Sequence, residues 1–224
     1  MKKVFMLVAL IVAPALASAQ GTVVFQNAAT EPVMQWKSEY PVDSSLVPVP
    51  KGNAMVELFT APHGTPMPHP FFPFGVSEYP GWHWAPSLEA FLAANPGWTS
   101  QAVGGVNSAD GMFDNGTVSL IGIPGGAAAD CAIIGWAGTY PTLDAAIAAN
   151  AWLGGSPRTW TTATGDASAS PAVPPVSLGS TFNGLILAPY FVQIPEPSIS
   201  ALAAVSAVML LLLMAVKGRP CSCR

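Results

Sequence analysis

Three histidines are the side chains of this sequence best suited to bind a metal. His63, His69 and His83 lie between residues 61 and 86, a stretch that also holds seven prolines. Imidazole is a common ligand of zinc and of other transition metals. The spacing of the three residues fits neither a helical nor a hairpin ligand pattern. Solvent-facing histidines on proline-rich backbone are therefore the favoured interpretation.

Other residues with chemical potential form no catalytic pattern. Residues 110–116 supply carboxylates and glycines, but they lack the alternating aspartates and the distal glutamate of a calcium loop, so an ordinary turn is favoured. Cys131 lies in an apolar stretch without a neighbouring cation, which predicts an inert thiol. The sequence contains no Gly-x-Ser-x-Gly elbow, phosphate-binding loop or His-Glu-x-x-His motif. We therefore predict no catalytic residue, no metal site and no cofactor.

The proline-rich stretch is unusually rich in aromatic side chains. Aromatic rings on an exposed loop can stack on sugars or on a protein partner. The candidate glycan contacts in this stretch are Phe72, Tyr79, Trp82 and Trp84. Five further tryptophans add to the supply of aromatic surface, although packing in a core is the alternative for them: Trp36, Trp98, Trp136, Trp152 and Trp160.

A membrane-spanning helix is predicted near the C-terminus. Residues 198–216 form an uncharged run of nineteen residues. At a rise of about 1.5 Å per residue this run is roughly 28 Å long, close to the hydrocarbon thickness of a bilayer. Lys217 and Arg219 follow it as a basic stop, which places the C-terminus in the cytoplasm.

The N-terminus has the features of a secretory signal peptide over residues 1–19. Two lysines precede the apolar stretch 4–16, and Ala17 and Ala19 form a small-residue cleavage site. Cleavage there makes Gln20 the new N-terminus. An uncleaved membrane anchor is the alternative, but thirteen apolar residues are short for a span.

The two ends together carry a family resemblance. Pro195, Glu196 and Pro197 stand directly before the predicted span. An exported N-terminus, this tripeptide, a terminal span and a basic end resemble the PEP-CTERM sorting signal of bacterial surface proteins over residues 194–219. The resemblance implies that an exosortase, an integral-membrane cysteine-type protease or transpeptidase, cuts the chain near the tripeptide. The protein would then be the substrate and not the enzyme.

One part of the tail departs from that pattern. Residues 220–224 continue past the basic stop, and they contain Cys221 and Cys223. Two cysteines without further ligands cannot complete a tetrahedral zinc site, so a cytoplasmic stub discarded with the tail is favoured. A eukaryotic lipid-anchor signal is the alternative for the whole tail, but its hydrophobic segment would normally be terminal.

The exported body comprises residues 20–193, a length that fits one domain. Three cationic side chains stand there against eleven carboxylates, which gives a net charge of −8. Such an acidic surface excludes nucleic acid as a partner. Cys131 is the only cysteine of the body, so no disulfide can form within it. Packing of the core alone must therefore stabilise the exported domain.

The pattern of the body predicts a mainly β fold. Short apolar stretches alternate with glycine, proline and asparagine, which is typical of a sandwich-like pair of sheets. The predicted strands are 21–27, 54–60, 117–123, 131–136 and 182–192. Pro189 interrupts the last of them and confines it to an edge or a bend.

Two short helices are predicted at 87–95 and 142–150. Each begins with a hydroxyl N-cap, carries an acid in its first turn and ends in asparagine, which tolerates a left-handed conformation. Both must pack against the sheet to persist. Residues 165–175, rich in proline, alanine and serine, form either a spacer before the last strand or a surface loop, and composition leaves both open.

These features together predict an exported protein that the inner membrane holds transiently. The expected partners are the exosortase, the secretion machinery and the inner membrane, with exopolysaccharide as a further candidate. The final location is the cell surface, the outer envelope or the extracellular matrix. We expect a structural or adhesive body rather than an enzyme. The alternatives are a polysaccharide-binding module and an unrecognised hydrolase.

Overall fold

Short apolar stretches of the body become strands of three sheets. The computed structural model describes residues 19–37, 45–69, 85–156 and 158–188. Within these residues the fold is mainly β, as predicted. The strands are β1 (Gln20–Gln26), β2 (Val33–Trp36), β3 (Leu46–Pro48), β4 (Ala54–Pro62), β5 (Thr99–Gly105), β6 (Asp114–Pro124), β7 (Ala128–Ala137), β8 (Leu153–Gly155), β9 (Trp160–Ala163), β10 (Val176–Ser177) and β11 (Leu185–Leu187). The helices are α1 (Leu88–Ala94) and α2 (Leu143–Ala148).

Three sequence predictions lie outside the described residues. They are most of the signal peptide, the aromatic glycan candidates, and the sorting tail with its span and basic stop. The signal residue Ala17 is outside, whereas Ala19 and Gln20 are described. Among the described residues, no helix is long and apolar enough to cross a membrane.

The largest sheet is built around the antiparallel pair of β4 and β7. Nine residue pairs join these strands, from Ala54 opposite Ala137 to Pro62 opposite Ala129. β5 pairs with the other edge of β4, while β8 and β9 pair with different halves of β7. The long β4 and β7 therefore form the centre of this sheet, and shorter strands complete it.

Two three-stranded sheets lie beside the central one. Their strand orders are β10-β1-β6 and β11-β2-β3, each with one parallel and one antiparallel pair. The end of β11 is also tied to β8, because the backbone amides of Leu153 and Ala188 each donate to the other residue's carbonyl oxygen at 2.9 and 3.0 Å. Side-chain amides join β6 to the β5 side: Gln101 bonds both backbone groups of Ile121, and Asn107 bonds both backbone groups of Asp114.

Both faces of the central sheet are covered by apolar side chains. On one face Val56, Leu58 and Ile133 pack in a cluster with residues of the other two sheets, among them Phe25 and Leu185. On the opposite face a second cluster packs against the helices, and its buried members are Phe59, Ala61, Phe91, Trp98, Ala132, Ile134, Trp136, Leu143, Ala146 and Leu153. Successive side chains of a strand point to opposite faces, so burial on both faces requires the continuous apolar run seen in β7.

A pair of glycines allows β11 to pass close over the central sheet. Gly135 of β7 lies opposite Gly154 of β8. A Cβ atom on Gly154 would stand 2.2 Å from the carbonyl oxygen of Ile186, and one on Gly135 would stand 2.5 Å from the Cδ2 atom of Leu185. Glycine at both positions is therefore required for β11, and with it the sheet β11-β2-β3, to pack against the central sheet.

The helices form where the capping residues predict. The Ser87 hydroxyl accepts a hydrogen bond from the Ala90 amide, and the Thr142 hydroxyl accepts one from the Ala145 amide. Asn150 adopts the expected positive φ of 52°. The same expectation is wrong for Asn95, which has a φ of −124°. Its buried side chain instead donates a hydrogen bond to the carbonyl oxygen of Phe91 within the helix.

The strand predictions are confirmed for four of the five segments, with longer strands in β6 and β7. The fifth is only partly right, since Leu185–Leu187 is the only strand in the described part of 182–192. Phe182 instead follows a 3-10 turn and packs between Phe113 and Trp160, with ring centroids 5.8 and 5.6 Å away.

Residues 165–175 form a loop closed at both ends by backbone bridges, because Gly165 pairs with Thr22 and Asp166 pairs with Val173.

We predict that Gly154→Ala lowers the free energy of unfolding by about 1–3 kcal/mol, because the new methyl group collides with backbone that cannot turn aside. Urea unfolding measures the loss. Gly105→Ala is the matched control, since the nearest atom to its added Cβ is 3.8 Å away, and it should change stability by no more than about 0.5 kcal/mol. Equal losses in the two variants would contradict the close-packing role of Gly154.

Candidate functional site

The described part of the proline-rich stretch is a short segment anchored to the sheet, residues 62–69, which we call the stem. It leaves the end of β4 and begins with a tight turn. The Thr65 amide and hydroxyl both donate to the carbonyl oxygen of Pro62, at 3.1 and 2.6 Å. The stem is thus ordered from its first residue by local hydrogen bonds.

The carboxylate of Asp130 on β7 fixes the start of the stem. It accepts hydrogen bonds from His63 Nδ1 at 2.9 Å, from the Gly64 amide at 2.7 Å and from the Thr161 hydroxyl at 2.6 Å. Asp130 lies opposite Ala61 and Thr161 in the sheet, so strand pairing brings the acid to both partners. One carboxylate on β7 therefore joins β9 and the stem.

The electrostatics of this group favour its ionised form. Burial raises the pKa of Asp130, but the hydrogen bonds from Thr161, His63 and Gly64, together with the charge of a protonated His63, outweigh it and hold the pKa below its usual value. Hydrogen bonds to a carboxylate stabilise the charged state in this way. The cluster is consequently most stable when Asp130 carries its charge.

The geometry of the cluster does not match a nucleophilic triad. A carboxylate bound to Nδ1 is the arrangement that orients an imidazole, and the His63 side chain is 61% exposed. The Thr161 hydroxyl, however, approaches the same Nδ1 atom at 3.4 Å and donates to Asp130. The Thr161 hydroxyl is therefore not placed to give its proton to Nε2, the ring nitrogen that would act as the base in a triad. The cluster acts as a clamp on the stem.

The far end of the stem is tied to α1 by Asn95, which is fully buried. Its side-chain oxygen accepts from the His69 amide at 3.0 Å, and its nitrogen donates to the carbonyl oxygens of His69 and Phe91 at 2.9 and 3.0 Å. The indole nitrogen of Trp98 donates to the Pro66 carbonyl oxygen at 3.1 Å. Two buried side chains thus hold residues 66–69 against the helical layer.

A small depression lies between the stem, α1, the middle of β7 and the end of β8. Its floor is apolar, and Ser156 and Thr159 add two hydroxyl groups; the lining includes Met67, Phe91, Ala132 and Ile134. The Ser156 hydroxyl already accepts a hydrogen bond from the Ile133 amide at 3.1 Å. The depression is much smaller than the clefts that hold a small-molecule substrate.

The three histidines, for which the sequence favours solvent-facing positions over a metal site, have different surroundings where the structure describes them. His63 bonds Asp130, the backbone of His69 bonds Asn95, and His83 lies outside the described residues. Among the residues that the structure describes, no three His, Cys, Asp or Glu side chains are grouped to hold a metal ion.

The segment 110–116 contains a turn at Asp110 and Gly111, as favoured from its sequence, and runs into β6 from Asp114. Asp110 accepts a hydrogen bond from the Lys51 amide at 2.9 Å, and Asp114 accepts one from the Gly116 amide two residues later at 3.2 Å. Both carboxylates are engaged with backbone in this way.

Cys131 is fully buried in β7, where burial and then the charge of Asp130 raise the pKa of its thiol to about 12. Its burial in an apolar strand is as predicted.

Four of the five tryptophans outside the aromatic stretch pack in or against the two apolar clusters. Trp98 and Trp136 are buried in the cluster beneath the helices. Trp152 and Trp160 pack against the cluster between the sheets, and Trp36 is half-buried in β2. Core packing, one of the two interpretations that the sequence allows, is confirmed for the buried Trp98 and Trp136, whereas Trp36, Trp152 and Trp160 are partly buried.

Sequence reasoning missed one buried acid, Glu57 on β4. It is 2% exposed, and its Oε1 atom accepts a hydrogen bond from the Ser100 hydroxyl at 2.5 Å. Its Oε2 atom is buried without a hydrogen-bond partner. The available signal was a lone glutamate within the apolar run of residues 54–60.

Comparisons with known proteins return no relative: no family model, no curated protein and no solved structure matches this chain.

We predict that Asp130→Asn destabilises the protein at neutral pH by about 1–2 kcal/mol, because it removes a charged acceptor of three hydrogen bonds. The folded pKa is lowered, so this stability is present above the ordinary value of 3.8 and is lost as the pH falls through the folded pKa. The deficit should shrink in acid, which urea unfolding at pH 7 and pH 2.5 would measure.

Asp114→Asn provides the comparison, since it neutralises an exposed acid at the start of β6 that accepts a hydrogen bond from the nearby Gly116 amide. Its effect at pH 7 should be smaller. A deficit of Asp130→Asn that stays constant down to the acid limit would show that the charge of Asp130 does not stabilise the clamp.

Proposed function

We propose that this chain is an exported bacterial surface or matrix protein, sorted by an exosortase through its C-terminal tail. Two sequence signals support the proposal, the signal peptide at 1–19 and the tail at 194–219. The single observation that carries it is the order of the tail: Pro195, Glu196 and Pro197, then an uncharged span, then a basic stop. Each part has a defined physical task in export, membrane retention and recognition.

The described body is consistent with a structural or adhesive role. We propose a sandwich-like arrangement, in which the three-stranded sheets cover one face of the central sheet and the helices cover the other. Strand pairing of β1 begins at Gln20, opposite Pro124. Cleavage after Ala19 would therefore leave the whole of β1 in place.

We predict that protein recovered from the native host ends near Pro197, with Arg224 absent. Intact-mass and C-terminal peptide mass spectrometry measure the end directly. Glu196→Ala should slow the cut and increase the fraction of full-length, membrane-bound chain, because it removes the charged centre of the recognition motif. Glu89→Ala, at an exposed position of α1, should leave processing unchanged.

A released protein that still ends at Arg224 would contradict sorting by cleavage. If Glu196→Ala and Glu89→Ala are processed alike, the tripeptide is not the recognition element. A membrane-retained chain with intact Arg224 in both variants would indicate a permanent anchor.

A polysaccharide-binding module is the second candidate function, and one structural observation favours it. The stem that leads to the aromatic stretch is held at three places, by Asp130, Trp98 and Asn95. A ligand-binding segment benefits from a fixed base, because less conformational freedom is then lost on binding. The proposed contacts are Phe72, Tyr79, Trp82 and Trp84.

We predict that Trp82→Ala with Trp84→Ala weakens retention on immobilised exopolysaccharide by about tenfold or more, since each stacked ring contributes on the order of 1 kcal/mol. Affinity electrophoresis or column retention measures the change, and circular dichroism checks folding. Tyr140→Ala is the matched control, because it removes a partly exposed ring (37%) outside the stretch. Equal retention of all variants would exclude this stretch as the glycan contact.

A further inference from the structure

Gln20 is the residue that the predicted signal cleavage leaves at the new N-terminus. It is the first residue of β1 and is exposed, whereas Val23 and Phe25 of the same strand are fully buried. An N-terminal glutamine carries a nucleophilic amine and an electrophilic carboxamide in one residue. The two groups are separated by the three carbon atoms that a five-membered ring requires, so their reaction is intramolecular and favoured by proximity.

The side chain of Gln20 is free to reach that amine. It extends from the exposed end of β1, and within the described residues no hydrogen bond holds its carboxamide. Gln26, at the other end of the strand, is different, because its Nε2 atom donates to the Ser177 hydroxyl at 2.8 Å. The glutamine that begins β1 is therefore mobile where the one that ends it is fixed.

The backbone nitrogen of Gln20 takes no part in the pairing of β1 with β6. Gln20 lies opposite Pro124, and the Gly125 amide donates to the carbonyl oxygen of Ala19 at 2.7 Å. In an antiparallel ladder, hydrogen bonds made by the flanking residues mark a pair whose own backbone groups point away from the partner strand. The nitrogen that becomes the terminal amine is thus left out of this ladder.

The residues that follow Gln20 are needed by the fold. On the edge of β1 away from β6, the backbone amides of Thr22 and Gly165 each donate to the other residue's carbonyl oxygen, at 3.2 and 2.8 Å. This bridge closes one end of the loop 165–175. The next residue, Val23, is fully buried in the cluster between the sheets. Removal of a few residues from a free N-terminus would therefore damage the sheet.

We propose that Gln20 is a modification site, at which the N-terminal glutamine closes to pyroglutamate and protects β1 from aminopeptidases. The amine nitrogen attacks Cδ of its own side chain, so that an N–Cδ bond forms and the Cδ–Nε2 bond breaks. Nε2 leaves as ammonia with a proton from the amine. A terminal amine is partly unprotonated at neutral pH, so the reaction needs no co-reactant.

The lactam removes the terminal charge and the free amine that aminopeptidases bind. The modification depends on the export that we propose above, because only cleavage after Ala19 exposes the amine of Gln20.

Mass spectrometry of the protein recovered from the native host tests the modification. Labelling of free amines at harvest prevents ring closure during digestion. The N-terminal peptide should begin at residue 20, carry no label and be lighter by one ammonia than a peptide with free glutamine. Gln20→Asn is the matched control, because it keeps a carboxamide at the same position but could close only a four-membered ring. Its N-terminal peptide should carry the label.

Treatment of both recovered proteins with an aminopeptidase of broad specificity tests the protection. The wild-type N-terminus should stay at residue 20, whereas the Gln20→Asn chain should lose residues from its end. Equal resistance of the two chains would overturn the protective role.

The position of the wild-type N-terminus separates this modification from export itself. A chain that begins at Gln20 with a labelled amine would overturn the modification and leave the export proposal standing. A chain that still begins at Met1 would contradict both, since residue 20 would then have no terminal amine.

Discussion

The antiparallel pairing of β4 with β7 is the interaction on which the rest of the described structure depends. Nine consecutive residue pairs place two apolar strands at the centre of one sheet. β5, β8 and β9 extend that sheet by pairing with these two strands, and apolar clusters pack against both of its faces. Gly135 and Gly154 permit the close approach of β11 on one side, and residues of the helices pack in the apolar cluster on the other. A domain without a disulfide is thereby stabilised by packing on two sides.

The polar groups of the domain are arranged on the same two central strands. Asp130 lies near the start of β7 and clamps the stem, while Glu57 lies in the middle of β4 beneath the helices. The two acids have opposite environments. Asp130 accepts three hydrogen bonds that favour its charge, whereas Glu57 is buried with one oxygen unpartnered. Their pKa values shift in opposite directions for this reason, although both residues are acids on neighbouring strands.

This arrangement is compatible with the function that we propose. An exported structural or adhesive protein needs a rigid body and a means to present a recognition segment, but it needs no deep cleft. The small depression beside Met67 and the internally satisfied cluster at Asp130 accord with that requirement. The stem joins the rigid sheet to the aromatic stretch, so the surface proposed for glycan contact begins at a defined place on the fold.

The sequence by itself determined the mainly β class, four of the strands, both helix starts and the burial of Cys131. These features depend on local patterns, namely apolar runs, turn residues and hydroxyl N-caps at Ser87 and Thr142. The signals at the two ends are likewise sequence patterns, and they remain predictions. Short strands such as β8 and β10 have too few residues to show an alternating pattern. They form by pairing with strands far away in sequence, which a local pattern cannot indicate.

Only the tertiary structure decided which polar residues meet. Asp130 reaches His63 and Thr161 across 67 and 31 positions of sequence, and Asn95 reaches His69 across 26. It also decided that Trp98 and Trp136 fill the core, and that Glu57 is buried within a strand. The physical reason is that burial and hydrogen bonding between distant residues follow from strand register and sheet packing, which no local pattern of residues encodes.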